Sequence, residues 1–183
     1  MAVDAKLPVI KPGIKLVALD VDGVLTDGML TYSTTGAEHK RFNVKDGLGL
    51  SLVSGAGVPI AIITARSSVI VERRAAELGI AHVFQDCKNK LPELQRLCDQ
   101  LGVTLAETAY MGDDLPDLPV LKAVGFSACP ADAALVVRET CRWVSGYNGG
   151  QGAVRELLET LFPQLFADKI SQLLSVQPVS LKQ

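Results

Sequence analysis

Short apolar runs alternating with longer amphipathic stretches constrain this chain more than any other feature. IKLVALD reads as a first strand and VPIAIIT, Val58 to Thr64, as another; AHVFQ, ETAYM, GFSAC and RWVS follow. Between and after them, SSVIVERRAAELG (ended by Gly79), LPELQRLCDQLG, LPDLPVLKAVG, ADAALVVRETC and GAVRELLETLF read as helices. Strands that alternate with helices of this length form parallel βαβ units. The expected fold is therefore α/β, a doubly wound parallel sheet.

One segment breaks the alternation. MLTYSTTGAEHKRFNV carries two β-prone runs around TTG and is expected to be a β-hairpin over about residues 28–44, after which KDGLGLSLVSGAG reads as a helix. Only this hairpin separates the first acidic cluster from the rest of the sheet, which leaves no room for an inserted domain. The expected organisation is an N-terminal segment (1–13), one folded domain (14–163) and a C-terminal helix or tail (164–183). Beyond Pro163, ISQLLSVQPVSLKQ is expected to weaken into a mobile tail.

Composition narrows the function classes. With 48% apolar and 21% charged residues over 183 positions, the chain has the makings of one domain with a sizeable core. The net charge is −2 and no Lys/Arg cluster stands out, so neither nucleic acid nor a membrane surface is an expected partner. The most apolar segment, VPIAIITA, is too short to span a bilayer, and MAVDAKLPVIKPGIK lacks a signal peptide's apolar core; a soluble, cytoplasmic protein is expected. Cys87, Cys98, Cys129 and Cys141 form no CxxC pair, and reduced thiols are the expected state.

Ligands in open α/β sheets bind at the carboxyl ends of the strands. Four such ends carry chemically useful groups here: Asp20 with Asp22, Thr64, Lys90, and Asp113 with Asp114 and Asp117. Each has a plain alternative as a turn residue, helix cap or surface charge, but four at successive strand ends point to a site. Asp20 and Asp22 are two apart, so in extended chain their side chains share a face. A cluster of oxygens with no neighbouring His or Cys suits a hard divalent cation, Mg2+. Lys90 opens a helix, where the dipole disfavours a cation, so it is expected to face an anion. Metal, lysine, hydroxyl and helix N-termini around a carboxylate make a site for a phosphoryl group. Asp27, beside Gly28, is expected to shape a turn. GYNGGQG forms either an anion-binding nest or a plain loop.

The motifs DVDGVLT, IIT, a lysine opening a later helix and GDDxxD, in that order, resemble the haloacid dehalogenase superfamily of phosphatases. DxDGVLTDG, FNVKDGLGL, IITAR, QDCKNKL, YMGDDLPDLPVL and GGQGAVRE resemble one capless branch of it, the phosphatases of 3-deoxy-D-manno-octulosonate 8-phosphate. The likeness covers roughly Ile14 to Leu161. It implies that Asp20 is the nucleophile and forms a phosphoaspartate, and that Asp22 protonates the leaving oxygen and then activates water. It implies Mg2+ held by Asp20, the Asp22 backbone carbonyl and Asp113, with Asp114 and Asp117 orienting the metal's waters and Lys90. Thr64 and Lys90 are implied to bind phosphoryl oxygens; Lys90 is preferred to Lys88 because NKL matches the family's spacing. Arg66 matches an active-site arginine of the branch, although read alone it is equally a solvent-facing arginine at a helix start. The branch often has Arg where this chain has Gln151.

Capless relatives form homotetramers in which hairpins associate and neighbouring subunits cover each site. The same assembly is expected here, with the C-terminal tail reaching a neighbour's site; apolar residues in LTYS and FNVK are compatible with it. Two rivals remain at this level. Phosphatases of nine-carbon sugar acids share the capless form. A receiver-type signalling module also uses acids, Thr and Lys on a doubly wound sheet, but places its phosphorylated Asp at the end of a middle strand.

Overall fold

A computed structural model describes residues 13–31, 33, 34, 36 and 38–175. Six parallel strands form one sheet: β1 (Leu16–Leu19), β2 (Ile60–Ile63), β3 (His82–Phe84), β4 (Thr108–Met111), β5 (Phe126–Cys129) and β6 (Trp143–Val144). Their spatial order is β3-β2-β1-β4-β5-β6, so β1 is central and the chain reverses direction of travel across the sheet on either side of it. The register pairs Leu19 with Ile62 on one side and with Met111 on the other, which brings the carboxyl ends of β1, β2 and β4 to one edge. This is the crevice in which doubly wound sheets bind ligands.

Among the described residues, seven α-helices cover the two faces: α1 (Val44–Gly55), α2 (Val69–Glu77), α3 (Lys90–Leu101), α4 (Leu118–Ala123), α5 (Leu135–Thr140), α6 (Ala153–Leu161) and α7 (Pro163–Ser175). Period-two alternation along β1 divides the core. Val17 and Leu19 point toward α1, α2, α6 and α7, where they meet Leu50, Val71, Leu157 and Phe166. Leu16 and Ala18 point toward α3, α4 and α5, where they meet Leu94, Leu97, Val120 and Val137. Side chains anchor the helix starts: Asn43 accepts from the Lys45 N–H at 2.8 Å and Ser68 from the Ile70 N–H at 3.2 Å.

Three expectations change. Among the described residues of 28–43 there is no strand, so the described part of the expected hairpin is loop; a turn is present as a Gly36 N–H bond to the Ser33 carbonyl at 3.1 Å. A two-stranded ribbon has little intrinsic stability, and Met29 and Leu30 stay 72% and 45% exposed. Second, α5 starts at Leu135, later than ADAALVVRETC suggested, because the turn before it is used to join loops. Ala134 N–H donates to the Asp113 carbonyl, and Asp132 accepts from the Gly149 N–H, both at 2.9 Å. Third, of the expected helix or tail, the described part from Pro163 to Ser175 is thirteen residues of helix, held by Phe166 in the core. Residues 1–12 and 176–183, including the end of the expected tail, lie outside the described residues.

Candidate active site

Asp20 follows β1 and is buried, with its backbone N–H bonded to the Met111 carbonyl at 3.0 Å. Lys90, the first residue of α3, points its ammonium between two carboxylates, 2.9 Å from Asp20 Oδ1 and 2.7 Å from Asp117 Oδ1. The neighbouring Lys88 is exposed. Asp117 is 1% exposed and fully used: Oδ1 also accepts from the Tyr110 hydroxyl at 2.6 Å, and Oδ2 from the Asp113 and Asp114 N–H groups at 3.0 and 3.2 Å. It thus fixes both the lysine and the loop that carries Asp113. Asp114 is exposed and caps the 3-10 turn over Leu115–Asp117 by accepting from the Leu115 N–H at 2.8 Å.

Asp20, Asp113 and Asp117 each offer an oxygen within 4.8 Å of the others. Burial pushes the Asp20 carboxyl up to about 6 against the pull of Lys90, and the nearby Asp117 charge adds to the rise. Burial, together with the charges of Asp20, Asp117 and Asp114, pushes Asp113 up to about 7. Burial also works against the Lys90 charge, but Asp20 and Asp117 outweigh it and its pKa is raised. Three carboxylates against one ammonium leave a surplus of two negative charges among oxygen donors alone. That donor set and that charge fit Mg2+.

Asp22 lies outside this cluster. Its Oδ1 is paired with Lys40, and its Oδ2 lies 3.7 Å from Arg66 Nε. Gly23 makes the change of direction possible. Its φ is +93°, and a Cβ there would overlap Asp113 Oδ2. Thr64 is buried at the end of β2, one strand from Asp20 at the same edge, and its hydroxyl accepts from the Arg66 N–H at 3.4 Å. Asp27 does shape a turn: it accepts from the Met29 N–H at 3.2 Å and pairs with Arg41.

The glycine-rich turn is no anion nest. Gly149, Gly150 and Gln151 donate their N–H groups to Asp132, the Val24 carbonyl and the Asn148 carbonyl. A Cβ at Gly149 would overlap the Gly23 carbonyl, so the turn packs directly on the backbone of the DVDG loop. Two contributors were missed in the sequence. Tyr110 reads as a core strand residue, and nothing local marks its hydroxyl as the partner of Asp117. Lys40 sits in a polar stretch with no spacing signal, yet its side chain is 4% exposed against Asp22.

A buried carboxylate on the central strand, a lysine across it and an oxygen-only divalent site describe the haloacid dehalogenase-like hydrolases, whose family model matches residues 49–125. Over 148 residues the chain is 43% identical to the 3-deoxy-D-manno-octulosonate 8-phosphate phosphatase of Salmonella typhi, covering 81% of this chain and 79% of that protein. A crystal structure of that phosphatase from Moraxella catarrhalis, in complex with magnesium, phosphate and KDO, superposes with a TM-score of 0.85 at 42% identity, covering 87% of this chain and 93% of that one. The cobalt-bound form from Haemophilus influenzae gives 0.81 at 40% identity, covering 86% and 92%. The chain belongs to the 3-deoxy-D-manno-octulosonate 8-phosphate phosphatase family.

Proposed function

We propose that this protein is a Mg2+-dependent phosphatase that hydrolyses 3-deoxy-D-manno-octulosonate 8-phosphate to the free sugar acid and phosphate. The observation that carries the reading is the buried Asp20, with Lys90 at 2.9 Å and oxygens of Asp113 and Asp117 within 4.8 Å. Asp20 attacks phosphorus, forming the Asp20–phosphorus bond as the bond from phosphorus to the sugar oxygen breaks. Asp22 delivers a proton to that oxygen, then takes one from the water that cleaves the phosphoaspartate and releases phosphate. Thr64 and Lys90 bind the phosphoryl oxygens, and Lys90 offsets the charge that builds during transfer. Arg66 binds the substrate from the same edge.

Asp20, the Asp22 backbone carbonyl and Asp113 would hold Mg2+, which would supply charge neutralisation for the phosphoryl group. Asp117 holds Lys90 and the Asp113 loop, while Asp114 acts through the turn that it caps. Residues 14–163 form the catalytic unit. Among the described residues no helix is long and apolar enough to cross a membrane. A cytoplasmic role in lipopolysaccharide biosynthesis agrees with the substrate. Four subunits associate through the 28–43 loops, whose Met29 and Leu30 are exposed, and neighbours cover each site. The test is phosphate release with Mg2+ from a panel of eight- and nine-carbon sugar acid phosphates. The eight-carbon ester should win in kcat/KM; a large preference for nine carbons would replace the substrate, and turnover by Asp20→Asn would end the covalent mechanism. Light scattering showing a monomer at micromolar concentration would count against the tetramer.

A further inference from the structure

The loop over 28–43 is joined to the rest of the molecule by charged tethers. Arg41 pairs with Asp27, Glu38 accepts from the Ser68 hydroxyl at 2.8 Å, and Lys40 pairs with Asp22. The third tether stands out by its burial. The Lys40 side chain is 4% exposed, whereas the Arg41 side chain is 85% exposed. Burying an ammonium on a loop is costly unless it is paired, and Lys40 has two acidic partners: Asp22 Oδ1, and Glu38 Oε1 at 3.7 Å. Glu38 is in turn held by Ser68, the residue that caps α2. A continuous set of contacts therefore runs from the N-terminus of α2 through Glu38 and Lys40 to Asp22.

On the other side of the same carboxylate, Arg66 Nε approaches Oδ2 at 3.7 Å. Each oxygen of Asp22 thus faces a cation from a different segment, and the carboxylate stays out of the Asp20–Asp113–Asp117 cluster. The two cations differ in what they can do. The Arg66 side chain is 52% exposed and free to turn toward a ligand, whereas Lys40 is enclosed. Proton transfer to a leaving oxygen depends on holding the acid within hydrogen-bond reach of one position.

We propose that Lys40 is the positioning residue for Asp22: enclosed and braced by Glu38, it holds the acid/base carboxylate in one orientation. The proposal rests on the assignment of Asp22 as acid/base.

The test is the dependence of kcat/KM on the leaving group, measured for Lys40→Met, Lys40→Arg and the unaltered protein. The substrates are phosphate monoesters running from p-nitrophenyl phosphate to primary alkyl phosphates, including a sugar acid phosphate. Because kcat/KM reports the steps through cleavage of the ester bond, protonation of a poor leaving group is visible in it, while p-nitrophenolate departs without help. For alkyl esters Lys40→Met should lose about 10–100-fold, a share of the roughly 10²–10⁴-fold that positioned proton transfer supplies. The loss on the aryl ester should be at least about tenfold smaller. Lys40→Arg, which keeps a cation at the loop, should recover most of the alkyl activity. Equal losses across the series, a rise in KM alone, or no change would overturn the proposal. If the eight-carbon ester is not a substrate of the unaltered protein, the substrate assignment fails while the leaving-group comparison still decides the role of Lys40.

Discussion

The Lys90 ammonium lies 2.9 Å from Asp20 Oδ1, in a place that is 2% exposed, and Asp117 holds it there from the far side at 2.7 Å. Substituting Lys90 by Met removes the one cation that, among the described residues, pairs with these two carboxylates, and leaves both buried. Breaking a buried pair from one side costs about 3–5 kcal/mol, which for a chain of this size lowers the melting temperature by roughly 10 °C. Turnover should fall by about 100-fold or more if Lys90 offsets phosphoryl charge as proposed. Thermal melts and single-turnover phosphate release check the two effects separately. Lys90→Arg should not rescue activity, because a planar guanidinium does not fit a niche built around a point charge.

Without metal, stability should fall as pH rises. Asp20 titrates at about 6 and Asp113 at about 7, both above the ordinary carboxylate range. Between about pH 4 and pH 7 the folded protein therefore binds more protons than the unfolded chain, and deprotonation favours unfolding. The melting temperature of the chelator-treated protein should decline across that window. Added Mg2+ should remove the decline, with its affinity rising as the ligands lose their protons. A pH series of melts with and without Mg2+ measures both trends; a metal-free melting temperature that climbed from pH 4 to 7 would contradict the burial of these carboxyls.

Gly23→Ala should weaken the metal site without altering any ligand. The position has φ +93°, and the added methyl would meet Asp113 Oδ2. The backbone strain costs about 1–3 kcal/mol. Displacement of Asp113 should raise the Mg2+ dissociation constant on the order of 10–100-fold, as when the supports of a metal ligand are lost. Calorimetric titration of Mg2+ against the variant reads this directly.

Asp46 offers a contrast. It lies in the first turn of α1, 1% exposed, and its Oδ1 accepts from the Arg155 N–H at 2.7 Å near the start of α6. Burial raises its pKa, and its Oδ2 has no hydrogen-bond partner. Asp46→Ala orphans the α6 N–H and should cost about 1–3 kcal/mol of stability. Turnover per folded molecule should be retained, because this carboxylate joins two helices and touches neither the metal cluster nor Asp22. Denaturant unfolding alongside an active-site-normalised rate separates the two.

The sheet and most of its helices were legible because they rest on local pattern. Four-residue apolar runs and capped amphipathic segments state their own secondary structure, and alternation with helices implies parallel pairing. The carboxylates and lysine at strand ends were legible for the same reason: topology delivers every strand end of a doubly wound sheet to one edge. What failed depended on contacts that local pattern does not carry. The run from Gly28 to Asn43 has β-prone composition, but a ribbon needs a covering surface, and in this chain charged tethers decide its course. The residues after Pro163 look weak in isolation and are helical as far as Ser175, with Phe166 reaching the core.

The sequence by itself determined the class of fold, the edge at which the chemistry gathers, and the oxygen-only character that selects a hard cation. Only the tertiary structure decided which groups share a charge. It keeps the Asp22 carboxylate out of the Asp20–Asp113–Asp117 cluster and sets Lys40 and Arg66 on its two oxygens. It buries Lys90 rather than Lys88 and recruits Tyr110, seven residues from Asp117 in the chain, to the same carboxylate. Coulombic and hydrogen-bond energies depend on separations of a few ångströms, and those separations are set by packing between segments far apart in the sequence.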